Sequence, residues 1–223
     1  MSNTIKVAID GPSGAGKSTI ARIAAKKLGF VYVDTGALYR TTALNALRKG
    51  ADLKDNSSII ASLDGLKVSI EFNDGVQHVL LNGEDVSGDI RMPEVSMAAS
   101  TVSAVPEVRK FLFNLQRDIA DENNCIMDGR DIGTVVLPDA EIKIFLTASP
   151  EERARRRYEE LIEKGVDVKY DDVLADVNER DYNDSHREIA PLKPSEQSII
   201  VDTTGNELEQ SIEQIISVIK EKL

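Results

Sequence analysis

A second cysteine, a basic charge balance and a long apolar run are all missing from these 223 residues. With Cys125 alone no internal disulfide can form, which suits a reducing cytosol. Its apolar neighbours Ile126 and Met127 make it a small core residue. Lys and Arg number 27 against 38 Asp and Glu, a formal net charge of -11 and a pI of about 4.8. Such a surface repels polyanions, so neither nucleic acid nor an anionic membrane is expected as a main partner. No stretch approaches the length needed to cross a bilayer, and the first residues lack the charged and apolar regions of a signal peptide. No internal repeat, low-complexity tract or flexible linker is visible. The expectation is a soluble cytoplasmic protein, a single domain large enough for a sizeable buried core.

What the chain does contain is Gly11-Pro12-Ser13-Gly14-Ala15-Gly16-Lys17-Ser18, a complete G-x-x-x-x-G-K-[ST] phosphate loop followed by Thr19. The apolar, β-branched run Ile5 to Ile9 reads as a buried strand before it, and Thr19 to Ala25 has helical spacing after it. That order is the context the motif needs. The glycines let successive N–H groups turn toward a phosphate at a helix N-terminus. Lys17 can reach terminal phosphates, and Ser18 can hold Mg²⁺ directly or through water.

Further strands are expected near residues 31, 125, 142 and 198, with helices between them, which gives five parallel strands covered on both faces. Between Leu66 and Gly88 the period changes to strict alternation, with turn signals at Asn73-Asp74-Gly75 and Asn82-Gly83, so a small antiparallel insert is expected there. Met92 to Val105 reads as a helix, and Pro106 opens another. Asp34 and Thr35, before a helix carrying Tyr39 and Arg40, are either ligand groups at a strand end or an N-cap. Asp128 ends an apolar strand, where it either supports Mg²⁺ or orients its own loop. Ser100 and Arg109, taken singly, read as solvated surface.

Ser149-Pro150-Glu151-Glu152 starts a helix carrying Arg153, Arg155, Arg156 and Arg157. Arg153 and Arg157 are spaced to share a face, and clustered cations call either for a polyphosphate or for balancing Glu residues nearby. The next helix, about Asp171 to Ile189, places Arg180, Asp184 and Arg187 on one stripe. The whole reads as a phosphoryl-transfer enzyme, a three-layer α/β phosphate-loop kinase. Its core is expected in residues 1–62, 89–150 and 190–223, with the insert at about 63–90 and a mobile helical lid at about 151–189. Lys17, Arg130, Arg153 and Arg157 are the candidates for stabilising the transferring group.

Four stretches together resemble the bacterial cytidylate kinases over nearly the whole chain: Ile9 to Thr19, Asp34-Thr35-Gly36-Ala37-Leu38-Tyr39-Arg40, Asp128-Gly129-Arg130-Asp131-Ile132-Gly133-Thr134-Val135-Val136, and Glu179-Arg180-Asp181. The first is common to many phosphate-loop proteins; the second and third are far more specific. The resemblance implies ATP as donor with Mg²⁺, and CMP or dCMP as acceptor, in pyrimidine nucleotide metabolism. It implies that Arg40, Arg130 and Arg187 hold the acceptor phosphate with Thr35, that Arg180 and Asp184 contact the ribose, and that Ser100, Arg109 and Asp131 read cytosine. It also raises Ser100, Arg109 and Arg187 from bland residues to ligands. The family often has Ser at position 35, so the methyl of Thr35 is a departure. A kinase for UMP or another small phosphate acceptor is the alternative. A nucleotide switch is a second, although no N-K-x-D guanine-reading motif occurs. A monomer is expected.

Overall fold

The computed structural model describes residues 4–73 and 76–223. In chain order its elements are β1 (Lys6–Asp10), α1 (Lys17–Leu28), β2 (Val31–Asp34), α2 (Thr35–Arg48), α3 (Asn56–Ser62), β3 (Val68–Asn73), β4 (Val76–Leu81), β5 (Glu84–Asp85), α4 (Pro93–Val102), α5 (Pro106–Glu122), β6 (Cys125–Gly129), β7 (Ile142–Thr147), α6 (Pro150–Glu163), α7 (Tyr170–His186), β8 (Ile199–Asp202) and α8 (Leu208–Lys220). Five strands form the expected parallel sheet in the order β2-β6-β1-β7-β8, and β3-β4-β5 form a separate antiparallel sheet. The chain divides into two compact units, one containing Val31–Asn124 and the other Ile5–Phe30 with Cys125–Leu223.

In the second unit β1 runs parallel to both β6 and β7, with Asp10 opposite Gly129 on one side and Phe145 on the other. Val7, Ala8, Ile9, Cys125, Ile126 and Met127 are all fully buried. Consecutive residues of a strand point to opposite faces, so both faces of these strands are covered. That is why their sequences read as unbroken apolar runs. The strand ends at Asp10 and Gly129 therefore emerge together, at the carboxyl edge where open α/β sheets build their sites. Helices α6 and α7 pair through a small cluster of their own, Ala154, Val173 and Val177, with Tyr158 packed edge to face on Tyr170.

In the first unit Val79, Leu81 and Val86 of the β-rich insert are buried in one cluster with Leu38 and Leu44 of α2, Val95 of α4 and Leu112 of α5. The alternation seen in the sequence is the mark of that one-sided burial. Asn82 and Gly83, both at positive φ, make the tight turn between β4 and β5. The other turn signal, Asn73-Asp74-Gly75, has its last two residues outside the described residues, but Asn73 and Val76 on either side do pair.

Two expected helices differ in extent. Met92 is extended (φ -62, ψ 143) because it precedes Pro93, so the helix expected over Met92 to Val105 starts at Pro93, after a single 3₁₀ turn, Asp89–Arg91; it ends at Val102. Helix α7 stops at His186, not Ile189. Arg187 is extended, and Ala190, at φ 50, turns the chain so that the Leu192 N–H donates to the carbonyl of Asp184. Arg187 thus lies just past the helix on whose stripe it was expected.

Candidate active site

The phosphate loop joins β1 to α1 in the second unit. Gly11 has φ 151, and a Cβ there would lie 1.9 Å from the carbonyl oxygen of Leu146 on β7, so no other residue fits. Gly16, in the left-handed region, precedes α1 without a side-chain cap, which leaves the first N–H groups of the helix for a ligand or water. Lys17 is buried, and its Nζ donates to the Pro12 carbonyl at 2.7 Å. Burial, then the neighbouring charge of Arg130, push its pKa down to about 7 against the partial support of Asp128 and Asp10.

The Ser18 hydroxyl donates to Asp128 Oδ2 at 2.9 Å. A hydroxyl and a carboxylate side by side are hard oxygen donors of the kind Mg²⁺ takes, so Ser18 and Asp128 are the residues that would hold one. Among the described residues no cluster of three or more His, Cys, Asp or Glu could hold a metal. An ion held there would have to draw on ligands other than protein carboxylates, such as phosphate oxygens and water.

Beside the loop stands a charged group at the C-terminal ends of β6 and α7. Arg130 Nε donates to Asp184 Oδ2 at 2.9 Å, and Arg187 Nη2 reaches Asp131 Oδ1 at 3.5 Å. Burial works to raise the Asp184 carboxyl, but the charge and hydrogen bond of Arg130, then Arg187 and Arg180, outweigh it and hold the group below the usual carboxylate range. Arg180 Nη1 donates to the Ser13 hydroxyl at 3.2 Å, which ties α7 to the phosphate loop. Lys17, Ser18, Asp128, Arg130, Asp131, Arg180, Asp184 and Arg187 are thus linked within one unit.

The arginines of α6 do not form a shared, anion-seeking face. Arg153 is buried, and each guanidinium nitrogen is spent on protein: Nε on the Ala148 carbonyl, Nη1 on the Ser13 carbonyl at 3.1 Å, and both Nη atoms on Asp181 at 2.9 and 2.5 Å. Arg155 pairs with Glu152 and Glu159, and Arg156 with Glu152 and the Thr203 carbonyl. Arg157 pairs with Glu160 at 2.9 Å with both side chains about half exposed. Four cations close in sequence are therefore balanced by carboxylates that the helical spacing and α7 supply.

In the first unit Asp34 is both an N-cap and an ion-pair partner. It accepts from the Ala37 N–H at 2.9 Å and from Arg40 Nη2 at 2.8 Å. Thr35 is buried. Arg109 is also buried, donates to the Ser103 carbonyl at 3.3 Å, and lies 5.6 Å over the ring of Tyr39. Ser100, one turn before, accepts through its carbonyl from the Ser103 hydroxyl. Arg109 is thus fixed by packing, the opposite of the solvated surface residue that its isolated position suggests.

Sequence reasoning overlooked three supports. Gln77 of the insert accepts from the Asp34 N–H at 2.8 Å and donates to its carbonyl at 3.3 Å, which anchors the end of β2. Asp181 is the partner of Arg153. Asp10 accepts from the N–H groups of Ile132 and Gly133, both at 2.7 Å. For the last two a signal did exist, since Asp10 lies within the stretch Ile9 to Thr19 and Asp181 within Glu179-Arg180-Asp181.

The model of the cytidylate kinase family matches residues 7–221. A cytidylate kinase from Pasteurella multocida (strain Pm70) is 49% identical over 223 residues, covering 100% of this chain and 98% of that one. One from Carboxydothermus hydrogenoformans is 50% identical over 218 residues, covering 98% of each. Among solved structures, an uncharacterized protein from Eubacterium ventriosum ATCC 27560 aligns with a TM-score of 0.54 at 13% identity, over 97% of this chain and 99% of that one. That last likeness is one of fold alone.

Proposed function

Because this chain belongs to the cytidylate kinase family, we propose that it transfers the γ-phosphate of ATP to CMP, and to dCMP, giving the diphosphate and ADP. The observation that carries the reading is the union, in one unit, of a complete phosphate loop with a second, separate cationic group, Arg130 and Arg187, held by Asp184 and Asp131. A nucleotide switch needs only the first. A kinase needs the second as well, to neutralise an acceptor phosphate whose oxygen attacks Pγ as the bond from Pγ to the leaving oxygen of ADP breaks.

The loop N–H groups and Lys17 hold the donor phosphates, and Mg²⁺ at Ser18 and Asp128 would neutralise charge on them. Arg157 can exchange its half-exposed Glu160 pair for a phosphate at little cost, whereas Arg153 would have to abandon a buried one. Arg153 is therefore assigned to hold the loop, and Arg157 to meet the transferring group. Arg180 and Asp184 are assigned to the ribose. Asp131 accepts from the exocyclic amine of cytosine, where uracil would oppose it with a carbonyl. Thr35, Arg40, Ser100 and Arg109 are assigned to the acceptor from the family resemblance, and the buried setting of Arg109 supports a positioned donor. The reading includes a cytoplasmic monomer, in keeping with a single, buried cysteine, Cys125. No helix among the described residues is long and apolar enough to cross a membrane.

A steady-state panel of CMP, dCMP, UMP and AMP with Mg²⁺-ATP tests this. CMP is expected to be the preferred ribonucleotide, and Asp131→Asn to lower the CMP-to-UMP ratio of kcat/KM by about 10- to 100-fold. Efficient conversion of another acceptor with CMP untouched would overturn the substrate, and ATP turnover indifferent to CMP would point to the switch. An unchanged ratio in the variant would remove the role of Asp131.

Lys17 adds a pH prediction. With its pKa near 7 the free lysine is largely neutral at about pH 8, while bound phosphates favour the charged form. ATP binding at about pH 8 should therefore take up close to one proton, read by calorimetry in buffers of different ionisation enthalpy, and the uptake should fade below about pH 6. The same uptake in Lys17→Met would assign the proton elsewhere.

A further inference from the structure

Asp10 is the last residue of β1 and directly precedes Gly11 of the phosphate loop. Its carboxylate is buried and accepts two short hydrogen bonds, from the N–H groups of Ile132 and Gly133. These belong to Ile132–Val136, a single π-type turn and an uncommon piece of backbone. On its other side the turn closes on Asp131, whose carbonyl accepts from the N–H groups of Val135 at 2.9 Å and Val136 at 3.2 Å. Asp131 is thereby gripped through its own carbonyl and through the two residues that follow it.

We propose that Asp10 is a positioning residue for the acceptor: its carboxylate fixes the turn that aims Asp131, and with it the neighbouring Arg130, without touching either substrate. This inference rests on the cytidylate kinase reading and says which part of the chain sets the acceptor side of that reaction.

Three observations favour this over a role in packing. First, a carboxylate is a costly way to fill buried space. Burial drives the Asp10 carboxyl up to about 6, with the Gly133 and Ile132 N–H groups pulling it back and Asp131 and Lys17 acting in opposite directions. It stays ionised at neutral pH because of the two donors it serves. Second, a backbone N–H can only donate, so only a group with two acceptor oxygens satisfies both at once. An amide satisfies one and turns a donor toward the other. Third, the fit is close: a Cβ on Gly133 would lie 3.3 Å from Asp10 Oδ2 and 3.3 Å from Lys143 Cγ.

A competing role is electrostatic, since Lys17 also feels the charge of Asp10. The two roles separate kinetically. If Asp10 acts through the turn, Asp10→Asn raises KM for CMP about tenfold, leaves KM for ATP within about twofold, and lowers the preference for CMP over UMP. If it acts on Lys17, KM for ATP or kcat changes instead, and the proposal fails. It fails too if both KM values stay at wild type with only kcat or thermal stability reduced, as a purely structural role would give. Gly133→Ala, which leaves Asp10 in place but crowds its Oδ2, is the second arm and should shift KM for CMP in the same direction; it decides the matter if Asp10→Asn does not fold. Wild-type protein assayed in parallel separates the premises. If wild type does not phosphorylate CMP, the proposed function has failed. If it does and neither variant moves KM for CMP, only the role of Asp10 has.

Discussion

Lys17→Met should reduce phosphoryl transfer by about 10²- to 10³-fold or more while leaving the protein folded, the loss expected when a preorganised charge aimed at the developing negative charge is removed. Methionine keeps the unbranched apolar stem in a buried position and deletes the ammonium alone. The Pro12 carbonyl loses its donor, which is a cost. Against it stands a gain, because burial disfavours the charged lysine, whose pKa falls from 10.5 to about 7 on folding. The sign follows from linkage. Between those values the unfolded chain binds more protons than the folded one, so native stability rises with pH, and the penalty carried by Lys17 is full below about pH 7 and gone above about pH 10.5. The melting temperature of the variant relative to wild type should therefore be more favourable at pH 6 than at pH 9. Kinetics within tenfold of wild type would remove Lys17 from the chemistry, and a stability difference that grows with pH would contradict its depressed pKa.

Asp181→Ala is the substitution with the largest expected effect on stability, about 3 kcal/mol. The reason is an asymmetry between the partners: the Arg153 side chain is 3% exposed and that of Asp181 is 29% exposed. Removing the carboxylate leaves a buried guanidinium with only the carbonyls of Ala148 and Ser13. Removing the arginine leaves a carboxylate that can turn to water. For a chain of this size the loss corresponds to roughly 6–12 °C in melting temperature. Arg153→Met should cost less, and the double variant should be more stable than Asp181→Ala alone, because the stranded charge is gone. Denaturant unfolding of the four proteins tests this. Equal costs for the two single variants would show that the pair is not asymmetric in its burial.

Much of this architecture is legible in the sequence. The phosphate loop, its flanking strand and helix, the fully apolar central strands and the alternating insert all follow from neighbours in sequence, where periodicity and glycine placement act. Even the helix limits that shifted did so locally, Pro93 setting the start of α4 and the turn at Ala190 drawing the chain back from α7. Single-residue roles were less legible. Arg109 alone looks like any solvated arginine, and only its burial over Tyr39 shows a held donor. Arg153 and Arg157, four apart on one helix, look alike, yet one is a buried clamp and the other a half-exposed pair.

The available chemistry, a phosphate loop with Lys17 and Ser18 and a supply of arginines and carboxylates, is already written in the residue order, because eight adjacent residues carry that motif intact. How those charges are used depends on the fold. Asp181 takes Arg153 from 28 positions away, and Asp10 holds the backbone of Gly133 from 123 positions away. Hydrogen bonds and ion pairs depend on separations of a few ångströms in space and on burial, and neither quantity is written in the spacing of residues along a chain.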